Sequence, residues 1–266
     1  MVFNFHLPAK NLLPFIKGYL ETDSRNLPYS EKHTLFPNGY PGIFFNFGKM
    51  GKMVLEKEYV TPPVSVFGQI DLPFTVQHYP GSYALGVVFK PTRLSKFLRE
   101  DMAKFTNRAF DAHLMRSDFK SIYAHLEEAS SLKQKINILN QYFTRIFSVP
   151  SSGSSIADRA IQLIHQHANI PVKEIADRLN VSDRTLETQF KSAVGLSPKT
   201  YSLIIRFRRA EQQLSENFSS QWSLLDFSND YYDQNHFIKD FKRFTGHTPT
   251  DYLLKNFEMG RSYLVR

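Results

Sequence analysis

The residue pattern predicts an α+β protein, with an N-terminal β-rich sandwich or barrel carrying accessory helices and a C-terminal all-α domain. Three observations carry this. Between residues 15 and 90 the apolar residues come in short runs broken by Gly and Pro, the mark of strands. Beyond Lys90 they recur at steps of three and four, the period of a helix. Between the halves, residues 148–155 hold Pro, Gly and five serines in eight positions, a composition that seldom sits inside a packed element. The domain boundary is placed there, giving 1–150 and 151–266.

In the first part, strands are expected at 15–20, 43–47, Val64–Phe67, 74–76 and 83–89. Gly48-Lys49-Met50-Gly51 and Tyr79-Pro80-Gly81-Ser82 read as hairpin turns, because Gly supplies the positive φ that tight turns need. Helices are expected at 92–100, 118–129 and Leu132–Phe147. In the last of these Leu132, Ile136, Leu139, Phe143, Ile146 and Phe147 form one apolar stripe. The stripe packs on the β domain; the alternative is a helix that also pairs with its copy in a homodimer.

A chain of 266 residues with 42% hydrophobic residues can bury the cores of two domains. No apolar run approaches the ~18 to 20 residues of a membrane span, and residues 1–10 lack a secretion signal. Without cysteine, disulfides, thiol nucleophiles and Cys-ligated zinc are excluded. A cytoplasmic protein is expected. Phosphate-binding loops, dinucleotide fingerprints, nucleophile elbows and the H-E-x-x-H zinc motif are absent, so the chain reads as a non-enzyme without cofactor or metal. His33 and His78, in the β region, are the candidates for a cupin-like metal site; with no H-x-H beside them they read as structural histidines.

Net charge is +8, suited to a polyanionic partner. Residues 1–150 contribute +6 of it and 151–266 only +2. Bulk charge therefore does not single out the C-terminal half, and its function rests on where particular residues sit.

That half carries an internal repeat. Phe190-Lys191, Gly195, Ser197-Pro198 and Tyr201 recur 51 positions later as Phe241-Lys242, Gly246, Thr248-Pro249 and Tyr252. The Phe faces the core late on one helix, the Gly ends that helix in the left-handed region, and Ser/Thr-Pro caps and opens the next. Ser182 and Asp233, again 51 apart, are placed to N-cap the helices carrying the Phe. A short helix from Val172 and a turn at Asn180 precede Ser182. Helix, tight turn and longer helix describe a helix-turn-helix, twice, joined by a long helix at 198–216.

In Asp183–Val194 the core side is Leu186, Phe190, Ala193 and Val194, which turns Arg184, Glu187, Thr188 and Lys191 outward. In Gln234–Thr245 the core side is Phe237, Phe241 and Phe244, which turns out Gln234, Asn235, Lys239 and Lys242. Arg and Lys match the guanine O6/N7 acceptors, Gln and Asn match adenine, Glu accepts from cytosine, and Thr meets the thymine methyl. These residues are the candidate base readers of double-stranded DNA. Ser182, Arg206, Arg209, Lys242 and Arg243 are the candidate phosphate contacts. A helical interaction module without DNA affinity is the rival reading.

The segment 231–252, Y-Y-D-Q-N-H-F-I-K-D-F-K-R-F-T-G-H-T-P-T-D-Y, resembles the C-terminal signature of the AraC/XylS-type transcriptional regulators. The resemblance extends back through Ile175-Ala176, Leu186, Phe190, Gly195 and Ser197-Pro198, and covers roughly 155–255. It implies two recognition helices entering successive major-groove segments about one turn, ~34 Å, apart. It also implies an N-terminal domain that binds a small-molecule effector, dimerises or does both, with RNA polymerase as a further partner if the protein activates. Asn235 stands where the family usually has Ser, and Lys239 where it has Arg. Asp226 occupies the place of a small residue in the second scaffold helix, so that helix is shifted or Asp226 is paired. The first unit is accordingly expected to be the stronger anchor.

Overall fold

The computed structural model describes residues 2–54, 57–148, 153–217, 231 and 233–254. Strands β1 (Val2–His6), β2 (Ile16–Asp23), β3 (Glu31–Leu35), β4 (Gly42–Gly48), β5 (Lys52–Val54), β6 (Glu58–Val60), β7 (Val64–Phe67), β8 (Phe74–His78), β9 (Ser82–Phe89) and β10 (Ala109–Asp111) build two antiparallel sheets. The larger runs β1-β2-β9-β4-β7-β10 and the smaller β3-β8-β5-β6.

Alternation along the strands gives the larger sheet two different faces. Ile43, Phe45 and Phe47 on β4, Val64 and Val66 on β7, and Leu85, Val87 and Phe89 on β9 point to a helical layer. That layer is α1 (Arg93–Leu98), α2 (Asp118–Glu128) and α3 (Leu132–Phe147), which contribute Leu94, Phe97, Phe119, Ile122, Leu126, Leu139 and Phe143 to the same core. Each fully buried Phe here, such as Phe45 or Phe119, contributes about 1.5–3 kcal/mol of transfer free energy. The α3 stripe packs on the β domain, with Leu132, Ile136, Ile146 and Phe147 at its edges. Asn140 on α3 fixes the fit by accepting from the Tyr19 hydroxyl and the Ala9 amide, both at 3.0 Å. The opposite face of the sheet, with Leu20, Gly42, Phe44, Asn46, Ala84 and Val88, looks across at the smaller sheet.

Both expected hairpins are instead corners between sheets. Gly48–Gly51 leads from β4 in the larger sheet to β5 in the smaller, and Tyr79–Ser82 returns from β8 to β9. The glycines keep their turn role, with Gly48 at φ 70° and Gly81 at φ 86°. The two corners lie against each other: Lys49 N–H donates to the Gly81 carbonyl at 3.3 Å, and the Ser82 hydroxyl to the Lys49 carbonyl at 2.7 Å. Turn chemistry fixes the reversal but not which sheet the chain enters next.

The C-terminal helices are α4 (Ile156–Gln166), α5 (Val172–Arg178), α6 (Asp183–Val194), α7 (Pro198–Asn217), α8 (Gln234–Thr245) and α9 (Pro249–Leu254). They enclose a second core that includes Ile164, Ile175, Leu186, Phe190, Tyr201, Phe207, Phe237, Phe241 and Phe244. One N-terminal residue joins it. Phe36, in the loop after β3, lies 6.4 Å from the Phe207 ring and 5.9 Å from that of Tyr252.

Two polar contacts tie the halves further. Asp158, which completes a capping box with Ser155 at the start of α4, also accepts from the Thr92 hydroxyl at 2.5 Å and from Lys96 Nζ at 3.0 Å. Arg93 stands 3.5 Å away. Thr106 donates its hydroxyl to the carbonyl of Gly195, at the end of α6, at 2.5 Å.

Candidate nucleic-acid interface

The repeat read from the sequence has two matching geometries. Ser182 Oγ accepts from the Thr185 amide to start α6, and Asp233 accepts from the His236 amide to start α8. Gly195 and Gly246 end these helices at φ 97° and 76°, each donating to a lysine carbonyl, Lys191 and Lys242, four residues back. The next helices are capped alike: Ser197 Oγ accepts from Thr200 N–H at 3.0 Å and Thr248 Oγ1 from Asp251 N–H at 3.1 Å. Asn180, at φ 53°, makes the turn between α5 and α6. The scaffold helix expected before α8, with Asp226 and Asp230, lies outside the described residues.

On α6, Leu186, Phe190 and Val194 are fully buried while Arg184, Glu187, Thr188 and Lys191 are exposed. On α8, Phe237, Phe241 and Phe244 are fully buried while Gln234, Asn235 and Lys239 are exposed. Side chains with base-edge chemistry thus stand on one face of each helix, starting in its first turn, opposite an aromatic anchor that fixes that face outward.

The expected phosphate contacts separate into two groups. Lys242 and Arg243 are exposed at the end of α8, and Ser182 is exposed at the start of α6, its hydroxyl already used as the cap. Arg206 does not fit the expectation. It is 8% exposed, with Nη2 2.8 Å from the Asp240 carboxylate and Nη1 2.7 Å from Asn169 Oδ1. Its guanidinium is turned inward to Asp240 and Asn169, away from the surface where a phosphate would lie. Arg209, half-buried beside it, sends Nη2 to the His165 carbonyl at 2.5 Å and ties α7 to α4. Charge and position on α7 do not distinguish a solvated arginine from a buried one; the buried Asp240 was the missing partner.

A second candidate site lies between the sheets. A cavity of about 170 Å³ is walled by apolar side chains from both, including Leu20, Phe44, Met53, Phe67, Phe74 and Val76. Its charged lining residue, among those described, comes from the helical half: Arg208 on α7. Arg208 is 7% exposed and ion-paired with Glu211 one turn along, which also stands 3.4 Å from the Tyr252 hydroxyl. Burial pushes the Glu211 carboxyl up, against the pull of Arg208. In the sequence nothing sets Arg208 apart from Arg206 and Arg209 on the same helix.

His33 and His78 meet beside this cavity with ring centroids 5.7 Å apart and Phe3 edge-on to both. Burial pushes His78 down to about 4, so it is neutral at pH 7. Among the described residues no three His, Asp or Glu side chains are arranged to hold a metal.

Residues 158–255 match the helix-turn-helix domain family, and residues 4–111 match a domain of unknown function, DUF6597. The chain has no significant match among curated proteins. Among solved structures it is similar to unsaturated fatty acid-bound ToxT from Vibrio cholerae strain SCE256, at 14% identity and TM-score 0.45, covering 88% of this chain and 97% of that one. The C-terminal domain of AraT, a response regulator from Geobacillus stearothermophilus, is similar at 27% identity and TM-score 0.33, covering 40% and 89%. The AraC-like transcriptional activator CuxR is similar at 14% identity and TM-score 0.25, covering 75% and 74%. With the family match running from α4 to α9 and the helices α6 and α8 capped and ended alike, residues 158–255 of this chain form a helix-turn-helix domain.

Proposed function

We propose that the chain is a sequence-specific, ligand-responsive transcription regulator, with 1–150 as the regulatory domain and 151–266 as the DNA-binding domain. Its work is binding, without chemistry. The observation that carries the DNA reading is the pair of capped helices whose buried phenylalanines turn Arg184, Glu187, Thr188 and Lys191, and Gln234, Asn235 and Lys239, to solvent. Lys242, Arg243 and Ser182 stand at helix ends where phosphate contacts would position these faces. Duplex DNA in the cytoplasm is the partner, with RNA polymerase added if the protein activates, and the rim of α3 as the surface for a homodimer.

The test is salt-dependent binding to random duplex, followed by site selection. Arg184→Ala is expected to relax preference at one base step at a cost of roughly 1–3 kcal/mol. Equal loss on every sequence would remove Arg184 as a reader, and no binding at low salt by folded protein would favour the helical interaction module instead.

The cavity supports an effector site. Its walls suit an apolar body, and the nearby Arg208 suits a polar or anionic end. Because Arg208 belongs to α7, a bound molecule would touch both halves at once. Saturated medium-chain carboxylates are expected to raise the melting temperature more than their neutral amides do. Equal shifts from acid and amide would remove Arg208 from the site, and no shift from either would leave the cavity a packing defect.

A further inference from the structure

Whatever fixes the separation and phase of α6 and α8 fixes which arrangement of half-sites the protein accepts. The long α7 sets the distance along its own axis. The buried phenylalanines of α8 turn one face of it inward, and a directed hydrogen bond sharpens the angle that apolar packing sets. One such bond comes from Arg206 on α7.

Arg206 lies in the middle of α7, between the two units. Its Nη1 reaches Asn169, in the turn that enters α5 of the first unit, and its Nη2 reaches Asp240 on α8, in the second. The Tyr231 ring covers the guanidinium at 5.2 Å and meets His236 of α8 edge-on at 5.5 Å. His236 is itself 3.9 Å from Asp240. A guanidinium is planar and always charged, so both partners are held at set angles to one plane. Asp240 is the neighbour of the candidate reader Lys239, so rolling α8 about its axis would break the Asp240 bond as it moved the reading face.

We propose that Arg206 is a positioning residue that locks the rotational phase of the second recognition helix against the first, and so sets the half-site spacing the protein accepts. This rests on the DNA-binding reading above. One base pair added between half-sites moves the second by roughly 3.4 Å and 35° around the duplex, a displacement a locked pair of helices cannot follow.

The experiment starts from the operator selected by the wild-type protein and measures affinity for it and for duplexes with one base pair inserted or removed between half-sites. The wild type is expected to lose about tenfold or more on either change. Asn169→Ala, which cuts the bridge at its exposed end, and Arg206→Met/Asp240→Leu, which replaces the buried pair by apolar groups, are expected to lose only roughly threefold or less. Their salt dependence on random duplex stays that of the wild type.

A wild-type spacing penalty in folded Asn169→Ala and in the double variant overturns the proposal. A uniform loss at all spacings with a shallower salt dependence also overturns it, because that is the signature of a phosphate contact. If the double variant does not fold, Asn169→Ala decides alone, since it leaves no buried charge unpaired. A wild type that selects no paired half-sites overturns the DNA reading and this proposal with it, and does so before any variant is compared.

Discussion

Phe36→Ala tests the aromatic contact that joins the two halves. The ring is 7% exposed and belongs to the helical core, with Phe207 and Tyr252 as neighbours, although it is carried by a loop of the sandwich. Truncating a buried Phe costs about 3–5 kcal/mol, and the low end applies here because the ring also borders the cavity, into which neighbours can relax. With a urea slope of about 2 kcal/mol per molar, a loss of about 3 kcal/mol lowers the unfolding midpoint of the helical half by about 1.5 M. The core between β4, β9 and α3 contains no Phe36 contact and should keep its stability. Native-state hydrogen exchange resolves the two: amides of α6, α7 and α8 lose protection while those of β4 and β9 hold. A loss below about 0.5 kcal/mol, the scale of an ordinary surface change, or a loss confined to the strands, would show that the ring is not packed between Phe207 and Tyr252.

Two further outcomes test the seam between the halves. Burial alone would raise Asp158, but the bonds from Thr92 and Lys96, the Arg93 charge and the Ser155 bond outweigh it and hold the carboxyl down at about 2. A depressed folded-state value gives stability that is present above the unfolded carboxylate value near 4 and lost as pH falls towards about 2. After discounting for solvent screening this is on the order of 1 kcal/mol. Asp158→Asn should therefore flatten the acid limb of melting temperature against pH between about 4 and 2, and an unchanged limb would remove Asp158 from the seam. Gly246→Ala and Gly195→Ala impose the same left-handed strain, about 1–2 kcal/mol. A Cβ at Gly246 meets nothing within 4 Å, whereas one at Gly195 comes 3.0 Å from the Met102 carbonyl and 3.1 Å from the Thr106 hydroxyl. The Gly195 variant should melt several degrees lower; equal losses would mean that the end of α6 is not docked on the N-terminal half.

The sequence made α6, α8 and α3 legible with their ends, because each end is local chemistry: Ser182, Asp233 and Ser131 accept from amides of their own first turns, and Gly195 and Gly246 close the last. The exposed polar faces of α6 and α8 were legible for the same reason, since a buried Phe at fixed helical spacing dictates what points away from it. Local chemistry is silent on what meets across the fold. Gly48 and Gly81 specify turns equally well whether the next strand joins the same sheet or the other, and only the pairing of β8 with β5, and of β9 with β4, decides it. Asp240 stands on an amphipathic helix and Arg206 on the connector, 34 positions away in sequence, and only the fold shows them 2.8 Å apart. A polar side chain on a helix is assigned to solvent by default, and that default fails where two opposite charges are buried together, because their mutual attraction and directed hydrogen bonds offset the cost of leaving water. In this chain the pair joins the connecting helix α7 to α8, the second of the two helices that would have to fit DNA together.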